Sequence, residues 1–412
     1  MAKKIERNII AGLDIGTSKV VALIGEVKHD GSMEIIGVGR QPSFGLKRGV
    51  VVDIDSTVNA IQRALQEAEL MAGCEVRTAY AGIAGSHIRS MNSHGIVAIR
   101  DKEVSSADVE RVIDAAKAVA IPADQKILHV LPQEFIIDNQ GCIREPAGMA
   151  GVRLEARVHI VTSAASSSQN IIKCVRRCGL EVTDIILEQL ASSHAVLTSD
   201  EKELGVCIID IGGGTTDIAV FYDGAIQHTA VIPIAGDQVT NDIALALRTP
   251  TKSAEAIKIQ HGVALPEHAS TTDLIEVLSV NERPGRKIST HALAEVICAR
   301  YEELFYLVMN ELQRGGFRDR IGAGMVITGG GSRLNGIIEL AELCFKMPVR
   351  HGIAHQINGL PEVTNDPSLA TGVGLLLHGY KQQYESTYHL PGGDGERPSA
   401  WRKMKEWFQG NF

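Results

Sequence analysis

The stretch Asp210-Ile211-Gly212-Gly213-Gly214-Thr215-Thr216-Asp217 lies between two short apolar runs, residues 206–209 and 218–222. A shorter version of the pattern, Asp14-Ile15-Gly16-Thr17-Ser18-Lys19, lies between the apolar runs 8–13 and 20–24. An acidic residue and a glycine turn between two such runs predict a β-hairpin with an aspartate at its tip. One such unit also fits an ordinary hairpin, but two in one chain indicate an internally duplicated fold.

Both turns are suited to hold phosphate groups. Glycine exposes backbone N–H groups without a Cβ in the way, so residues 16–19 and 212–216 predict two jaws around a polyphosphate. Mg²⁺ prefers oxygen ligands and keeps several waters, so Asp14 and Asp210 would hold it largely through water. Hydroxyl groups and one cation would add contacts, namely Thr17, Ser18, Thr215, Thr216 and Lys19. Asp217 would either reach the bound group or form a local cap or pair.

A third glycine turn, Thr328-Gly329-Gly330-Gly331-Ser332-Arg333-Leu334, follows the apolar run 325–327 and precedes a predicted helix. Three adjacent glycines let the backbone pack flat against a base or a ribose. We therefore expect this turn to complete a nucleotide site with the two hairpins.

The remaining apolar pattern alternates between strands and helices. Helices are predicted over residues 56–72, 166–178, 236–247, 253–261 and 288–312, and a strand over 182–187. Residues 84–162 form an inserted segment, with strands over 95–99 and 156–161 and a helix whose apolar side is Val109, Val112, Ile113 and Ala116. This mixture predicts an α/β fold, and 412 residues exceed what one hydrophobic core usually holds.

Composition excludes several classes of protein. The formal net charge of −8 and the lack of a basic internal segment argue against nucleic acid as a partner. The seven cysteines are scattered among mostly apolar neighbours, which predicts buried free thiols in a reducing compartment. Cys174 and Cys178 are spaced to share a metal, but no second pair or nearby histidine completes a zinc site. Without a signal peptide or an apolar run of about 18 residues, the chain is predicted to be cytoplasmic.

The C-terminal residues differ in character from the rest. Residues 385–398 contain a Gly-Gly-Asp-Gly stretch and two prolines, which predicts a flexible linker. Residues 399–412 predict a short amphipathic helix whose apolar face is Trp401, Met404, Trp407, Phe408 and Phe412, and whose polar face is Arg402, Lys403, Lys405 and Glu406. Both tryptophans of the chain lie here beside cations, which is typical of helices at an anionic lipid surface. The alternatives are docking on the chain's own body or on another protein.

The three glycine turns resemble the two phosphate motifs and the adenosine motif of the actin, Hsp70 and sugar-kinase superfamily, in that order. This resemblance implies ATP with Mg²⁺ in a cleft between two lobes, with Gly329, Gly330, Gly331 and Arg333 at the adenosine. Residues 187–191 resemble the first connecting segment, which implies that Glu188 orients the attacking water near Asp210. Residues 253–258 resemble the helix that touches adenosine, which implicates Glu255 and Lys258; a solvated ion pair is the alternative. Residues 367–374 resemble the second connecting segment.

The inserted segment and the C-terminal helix together resemble the FtsA family of bacterial cell-division proteins. Members of that family polymerise, tether FtsZ filaments to the inner face of the membrane and recruit later division proteins. By this resemblance the FtsZ C-terminal tail would bind residues 226–304, and residues 84–162 would serve self-association and recruitment. The chain would be peripheral on the cytoplasmic face of the inner membrane at the division site, with at most slow ATP hydrolysis. The alternative is a sugar or acetate-type kinase of the same superfamily, which would need an acidic base beside an acceptor pocket.

The same resemblance implies an actin-like duplicated two-lobe fold and divides the chain into parts. The core of lobe 1 would comprise residues 1–83, 163–195 and 365–384, with 84–162 as its inserted subdomain. The core of lobe 2 would comprise residues 196–225 and 305–364, with 226–304 as its outer subdomain. The linker 385–398 and the membrane helix 399–412 would follow.

Overall fold

The computed structural model describes residues 7–278, 286–355 and 357–388. The strands are β1 Asn8–Ile15, β2 Lys19–Val27, β3 Met33–Pro42, β4 Leu46–Lys47, β5 Val50–Val51, β6 Thr78–Ile83, β7 Arg89–Ala98, β8 Gln125–Ile137, β9 Gln140–Ile143, β10 Arg153–Ala164, β11 Glu181–Leu187, β12 Val206–Ile211, β13 Thr216–Tyr222, β14 Ala225–Ile232, β15 Leu274–Val277, β16 Arg286–Ser289, β17 Met325–Thr328 and β18 Val349–His351. The helices are α1 Ile54–Ala72, α2 Ser106–Lys117, α3 Ala165–Arg177, α4 Glu188–Val196, α5 Ser199–Leu204, α6 Gly236–Leu247, α7 Thr251–His261, α8 Thr290–Arg314, α9 Ile337–Phe345, α10 Pro361–Thr364 and α11 Ala370–Tyr388.

Two five-stranded sheets repeat one topology. The first has the strand order β11-β6-β1-β2-β3, and the second has the order β14-β13-β12-β17-β18. In each sheet a hairpin strand, β1 or β12, pairs antiparallel with the next strand and parallel with a later one, β6 or β17. The internal duplication predicted from the two hairpins is therefore confirmed, and each sheet forms the centre of one lobe.

Helices cover both faces of the first sheet because small residues let them approach. An added Cβ at Gly39 of β3 would overlap the carbonyl oxygen of Ala64, so α1 lies directly against this strand. On the opposite face, an added Cβ at Gly12 of β1 would lie 3.0 Å from the Cβ of Leu375 in α11. The apolar side chains between these layers, such as Leu23 and Ile61, are fully buried. The first lobe is thus a three-layer sandwich.

The inserted segment folds around its own sheet, with the strand order β7-β10-β8-β9 and helix α2 on one face. Its buried apolar side chains, including Val112, Leu154 and Phe135, form a cluster separate from those of the two lobes. An added Cβ at Gly95 would overlap the carbonyl oxygen of Val112, so α2 packs closely on β7. The predicted α/β architecture with an inserted subdomain is confirmed.

The inserted subdomain also contacts β14, the edge strand of the second sheet. The Ser90 hydroxyl donates to the carbonyl of Thr229 at 2.9 Å, and the Gln133 amide donates to the carbonyl of Ile226 at 3.0 Å. His159 lies 3.0 Å from the Thr229 hydroxyl through its Nε2 atom. Because this subdomain is inserted in lobe 1, these bonds form a second connection between the lobes.

Some predicted boundaries differ from the structure. The helix predicted from residue 288 begins at Thr290, because residues 286–289 form β16, which pairs with β15. Helix α11 continues through Tyr388, so residues 385–388 belong to a helix rather than to the predicted linker. The remainder of that linker and the amphipathic helix predicted over 399–412 lie outside the described residues.

The described ranges contain no helix that combines the length and the apolar character needed to cross a bilayer. All seven cysteines lie in these ranges and none forms a disulfide, as predicted. The predicted burial holds only for Cys174 and Cys207, because Cys142 is exposed and the other four are partly buried. The Cys178 thiol donates to the carbonyl of Cys174 at 3.3 Å, which is a helical backbone contact rather than metal ligation. This pair is therefore structural.

Candidate nucleotide-binding cleft

A cleft of about 420 Å³ lies between the two lobes. The predicted site residues that line it are Asp14, Gly16, Thr17, Ser18, Lys19, Glu188, Asp210, Gly212, Gly213, Gly214, Thr215, Glu255, Lys258, Gly329, Gly330, Gly331 and Arg333. The structure thus brings three glycine turns, far apart in sequence, around one space. Their role in binding a ligand remains a prediction.

The two hairpin turns have matching geometry. The Gly16 N–H donates to the carbonyl of Lys19 at 3.0 Å, and the Gly212 N–H donates to the carbonyl of Thr215 at 2.9 Å. The tips face each other so closely that an added Cβ at Gly213 would lie 2.8 Å from the Ser18 hydroxyl. Glycine is needed here because any side chain would fill the gap between the jaws.

The second turn also fixes the start of helix α6. The Gly236 N–H donates to the carbonyl of Gly212 at 3.1 Å, and the Asp237 N–H donates to the carbonyl of Gly213 at 2.8 Å. These bonds satisfy two amides that have no partner inside the helix. The outer part of lobe 2 is therefore attached directly to the turn predicted to hold phosphate.

Of the acidic side chains that line the cleft, four lie together near the hairpin turns, namely Asp14, Glu188, Asp210 and Asp217, and each of these four has a raised pKa. Burial and the neighbouring Asp210 raise the pKa of Asp14 to about 6. Burial and Asp210 also raise the pKa of Asp217 to about 8, and one oxygen of Asp217 is buried without a hydrogen-bond partner. Burial raises the pKa of Asp210, and burial with the three aspartates raises that of Glu188 well above its ordinary value. Such a cluster is stabilised by a bound cation, which would offset the repulsion between the carboxylates.

The geometry fits a hydrated rather than a fully ligated cation. No group of three His, Cys, Asp or Glu side chains in the described part of the chain is placed to hold a metal directly. Mg²⁺ commonly keeps several waters and uses one or two carboxylates with phosphate oxygens. The paired carboxylates of Asp14 and Asp210 and the orphaned oxygen of Asp217 therefore fit the predicted Mg²⁺.

Lys19 points across the cleft towards the second connecting segment. Its ammonium group donates to the carbonyl of Ser368, and burial lowers its pKa despite the nearby carboxylate of Asp14. The ammonium group would partly neutralise the acidic cluster. Lys19 thus lies where the sequence predicts it.

The triple-glycine turn packs against the second hairpin. Gly329 has a φ of +85°, and an added Cβ there would overlap a carboxylate oxygen of Asp210. The Tyr301 hydroxyl donates to the carbonyl of Gly331 at 2.9 Å and supports the turn from α8. Arg333 is 60% exposed and lies 3.7 Å from the carboxylate of Asp366. The turn thus lines one side of the cleft, and the exposed guanidinium group of Arg333 follows it.

Glu255 and Lys258 form an ion pair of 2.7 Å on α7, and both line the cleft. The Lys258 ammonium also donates to the carbonyl of Gly236 at 3.0 Å and to the Thr240 hydroxyl at 2.8 Å. The Lys258 side chain is only 12% exposed, so this is not a freely solvated pair. The pair joins α7 to the first turn of α6.

One predicted contact is wrong. Thr216 is fully buried and its hydroxyl donates to the carbonyl of Ile234 at 2.7 Å, so its side chain does not line the cleft. Successive side chains of a strand point to opposite faces, and Asp217 takes the cleft side of β13. Asp217 accepts a hydrogen bond from Thr215 at 2.9 Å, which is the predicted local pairing, and it also lines the cleft. Its contact with a bound group stays a prediction.

Several cleft residues were missed from the sequence. They include Arg40, Asp237, Tyr301, Ser368 and Thr371. Arg40 extends from β3 and lies 2.8 Å from the carboxylate of Asp366. Ser368 and Thr371 lie in the segment 367–374 that resembles the second connecting segment, but they were not predicted as site residues. Arg40, Asp237 and Tyr301 lie outside every motif, because each reaches the cleft through tertiary packing.

The duplicated lobes and the cleft between them define an actin-like fold. The chain is similar to a chain of the PilM–PilN type IV pilus biogenesis complex, with a TM-score of 0.66 and 15% identity over 90% of this chain and 98% of that one. It is also similar to MreB5 of Spiroplasma citri bound to AMPPNP, with a TM-score of 0.55 and 16% identity over 92% of this chain and 98% of that one. These likenesses show the fold.

Sequence similarity gives the particular family. The family "Cell division protein FtsA" matches residues 207–374, and the "SHS2 domain inserted in FTSA" matches residues 85–162. The chain is 60% identical to cell division protein FtsA of Pseudomonas aeruginosa and 43% identical to that of Escherichia coli K12, covering 100% of each protein. The chain belongs to the FtsA family of cell-division proteins. Membership favours a role in division over the small-molecule kinase alternative.

The raised pKa values lead to a pH prediction. Below a pKa of about 8 for Asp217 and about 6 for Asp14, a proton occupies a carboxyl group that a cation needs ionised. The affinity for Mg²⁺ should therefore rise from pH 6 to pH 8, by at most about tenfold per pH unit for each proton displaced. Titration calorimetry in two buffers of different ionisation enthalpy would measure the protons released when Mg²⁺ is added to the ATP-loaded protein.

Asp217→Asn is the matched variant for this measurement, because it keeps the side-chain shape and removes the group that titrates. It should release fewer protons and show a weaker pH dependence than the unaltered chain. An equal proton release by both proteins would contradict the assignment of Asp217 to the cation site.

Proposed function

We propose that this FtsA-family chain binds ATP with Mg²⁺ in the cleft and that the nucleotide controls its assembly on the cytoplasmic face of the membrane at the division site. The observation that carries the proposal is the convergence of three glycine turns, three buried aspartates and Glu188 in one cleft. Turns from both lobes would donate backbone N–H groups to the phosphates, with Asp14 and Asp210 facing the cation. The nucleoside would contact the triple-glycine turn, Glu255 and Lys258.

A nucleotide held in this way bridges the lobes. The first hairpin belongs to lobe 1 and the second to lobe 2, so phosphate binding favours the arrangement in which the jaws face each other. The second turn is attached to α6, so a change at the phosphates would move the outer part of lobe 2. Nucleotide binding is in this way coupled to the surfaces of that subdomain.

Hydrolysis would be slow at most. Glu188 lines the cleft near Asp14 and Asp217, where it would orient a water towards the terminal phosphate. Burial, and then the charges of the three neighbouring aspartates, raise the pKa of Glu188 well above its ordinary value and so disfavour the ionised form that would orient the water. We therefore propose a binding switch rather than an enzyme of rapid turnover.

The partners follow from family membership. We propose that residues 226–304 bind the C-terminal tail of FtsZ, and that residues 84–162 serve self-association and recruitment of later division proteins. Both parts expose large apolar side chains, with Leu245 77% and Leu278 60% exposed in the first and Val152 63% exposed in the second. The amphipathic sequence 399–412 would bind anionic lipid, and self-association would strengthen this attachment by placing several copies together.

Vesicle sedimentation tests the proposal. The full chain should sediment with vesicles containing phosphatidylglycerol, and equilibrium dialysis should show that it binds ATP. A variant lacking residues 399–412 should bind ATP equally well but stay in the supernatant, because its lipid-binding face is gone. Trp407→Glu should release the protein similarly, whereas Glu406→Gln on the polar face should leave binding intact.

Two results would overturn parts of the proposal separately. Retained sedimentation of the truncated protein would contradict the role of the C-terminal sequence. Failure of the full chain to bind ATP would contradict the role of the cleft.

A further inference from the structure

Asp210 is held by two hydroxyl groups from outside its own lobe. The Ser192 hydroxyl donates to the Oδ2 atom of Asp210 at 2.6 Å, and the Thr371 hydroxyl lies 3.2 Å from the same oxygen. The two hydroxyl oxygens are 3.0 Å apart. All three side chains are buried, with exposures of 0%, 7% and 7% for Ser192, Thr371 and Asp210.

The three residues come from three elements that meet at the junction of the lobes. Asp210 ends the central strand β12 of the second sheet, whereas Ser192 and Thr371 lie on α4 and α11. These two helices pack closely, because an added Cβ at Gly374 of α11 would overlap the carbonyl oxygen of Ala191 in α4. Helix α11 packs against β1 of the first sheet, whereas α4 packs against both sheets, at β11 of the first and at β12 and β13 of the second. The Asp210 carboxylate at the end of β12 is thus held by two helices at the junction of the lobes.

The arrangement separates the two oxygens of the carboxylate. Oδ2 is engaged by the hydroxyl groups, while no donor in the described ranges reaches Oδ1. Oδ1 lies beside the backbone of Gly329, which has no side chain to cover it. A carboxylate with one oxygen fixed and the other open is oriented for a cation or its water shell.

We propose that Ser192 and Thr371 are positioning residues that orient Asp210 towards a divalent cation at the nucleotide. This inference rests on the proposed function of the cleft and assigns the support of its cation site to two residues that neither glycine motif contains. A merely structural role would satisfy a buried carboxylate without affecting the cation. The two roles differ in one measurable quantity, the ratio of ATP affinity with Mg²⁺ to ATP affinity with EDTA.

The chain offers a matched control next to Ser192. Ser193 is also fully buried on α4, but its hydroxyl donates to the carbonyl of Leu190 at 2.7 Å. Ser193→Ala therefore removes a buried hydroxyl from the same helical turn without altering Asp210. It should leave the Mg²⁺ ratio unchanged.

The test compares Ser192→Ala and Thr371→Val with this control in equilibrium binding of ATP. Each test variant should lower the Mg²⁺ ratio by roughly tenfold, since each removes a hydrogen bond to a charged oxygen. Affinity measured in EDTA should change much less. Thr371→Ser and Ser192→Thr retain the hydroxyl and should restore the ratio, which keeps the test valid if an alanine or valine variant folds poorly.

The outcomes distinguish the inference from the function on which it rests. If the unaltered chain shows Mg²⁺ stimulation and the test variants show the same ratio as Ser193→Ala, the positioning role is overturned alone. If the unaltered chain binds ATP without any Mg²⁺ stimulation, the cation site and this inference are both overturned.

Discussion

Asp210→Asn should reduce the affinity for ATP in the presence of Mg²⁺ by roughly 100-fold, the effect expected when one partner of a buried charged pair is removed. The variant keeps the volume of the side chain but loses the negative charge that faces the cation. Affinity in EDTA should be nearly unchanged or slightly higher, because the acidic cluster repels the phosphates less. Equilibrium binding with a fluorescent ATP analogue would measure both values.

Asp200→Asn is the control for this substitution. Asp200 is an exposed carboxylate in the first turn of α5 and does not line the cleft. Removing this exposed charge should leave the affinity for ATP unchanged, both with Mg²⁺ and with EDTA. If Asp210→Asn bound Mg-ATP as tightly as Asp200→Asn does, the cation would not lie at this hairpin.

Gly374→Ala should destabilise the protein by about 3 kcal/mol, at the upper end of the cost of overpacking. Alanine normally stabilises a helix by about 1 kcal/mol relative to glycine, so the expected sign is opposite to the helical propensity. The reason is that the new methyl group would overlap the carbonyl oxygen of Ala191, a backbone atom that can move only if the two helices separate. Urea unfolding followed by circular dichroism would measure the difference.

Gly372→Ala is a control in the same helix. Its added Cβ would lie 2.9 Å from the Cδ1 atom of the buried Leu23, the end of a side chain that needs only a small shift, whereas a backbone atom is fixed by its helix. This variant should be within about 1 kcal/mol of the unaltered chain. Equal stability of Gly374→Ala and Gly372→Ala would show that close packing of α4 and α11 is not required.

The parts of the fold that were predicted correctly are those encoded by local pattern. Two apolar runs around an aspartate and glycine define each hairpin within a few residues, because strand alternation and turn chemistry act over that distance. The helix start predicted at residue 288 is wrong because pairing with another strand overrides the local pattern. Residues 288 and 289 were predicted to begin the helix, yet they end β16, because β15 is available to pair with this segment.

The residues of the candidate site likewise divide into those that a local motif marks and those that only tertiary packing brings to the cleft. The glycines of the three turns and the aspartates of the two hairpins were found because these residue types are unusual in apolar strands. Ser192 and Tyr301 were not, since serine and tyrosine on a helix carry no local signal of what they will touch. Thr371 lies in the segment that resembles the second connecting segment, but its hydrogen bond to Asp210 was not predicted. The prediction that the Thr216 hydroxyl lines the cleft was wrong, because strand alternation places this side chain on the face opposite Asp217.

The inserted subdomain covers part of β14, the edge strand of the second sheet, through side-chain hydrogen bonds to its backbone carbonyls. An edge strand exposes unpaired carbonyls that can recruit a strand from another molecule, but here side chains such as Ser90 and Gln133 occupy those of Thr229 and Ile226. Separating the lobes on this side would have to break these bonds, which contribute about 1 kcal/mol each. The inserted subdomain therefore covers backbone carbonyls that another strand would otherwise pair with, and its hydrogen bonds oppose separation of the two lobes on this side.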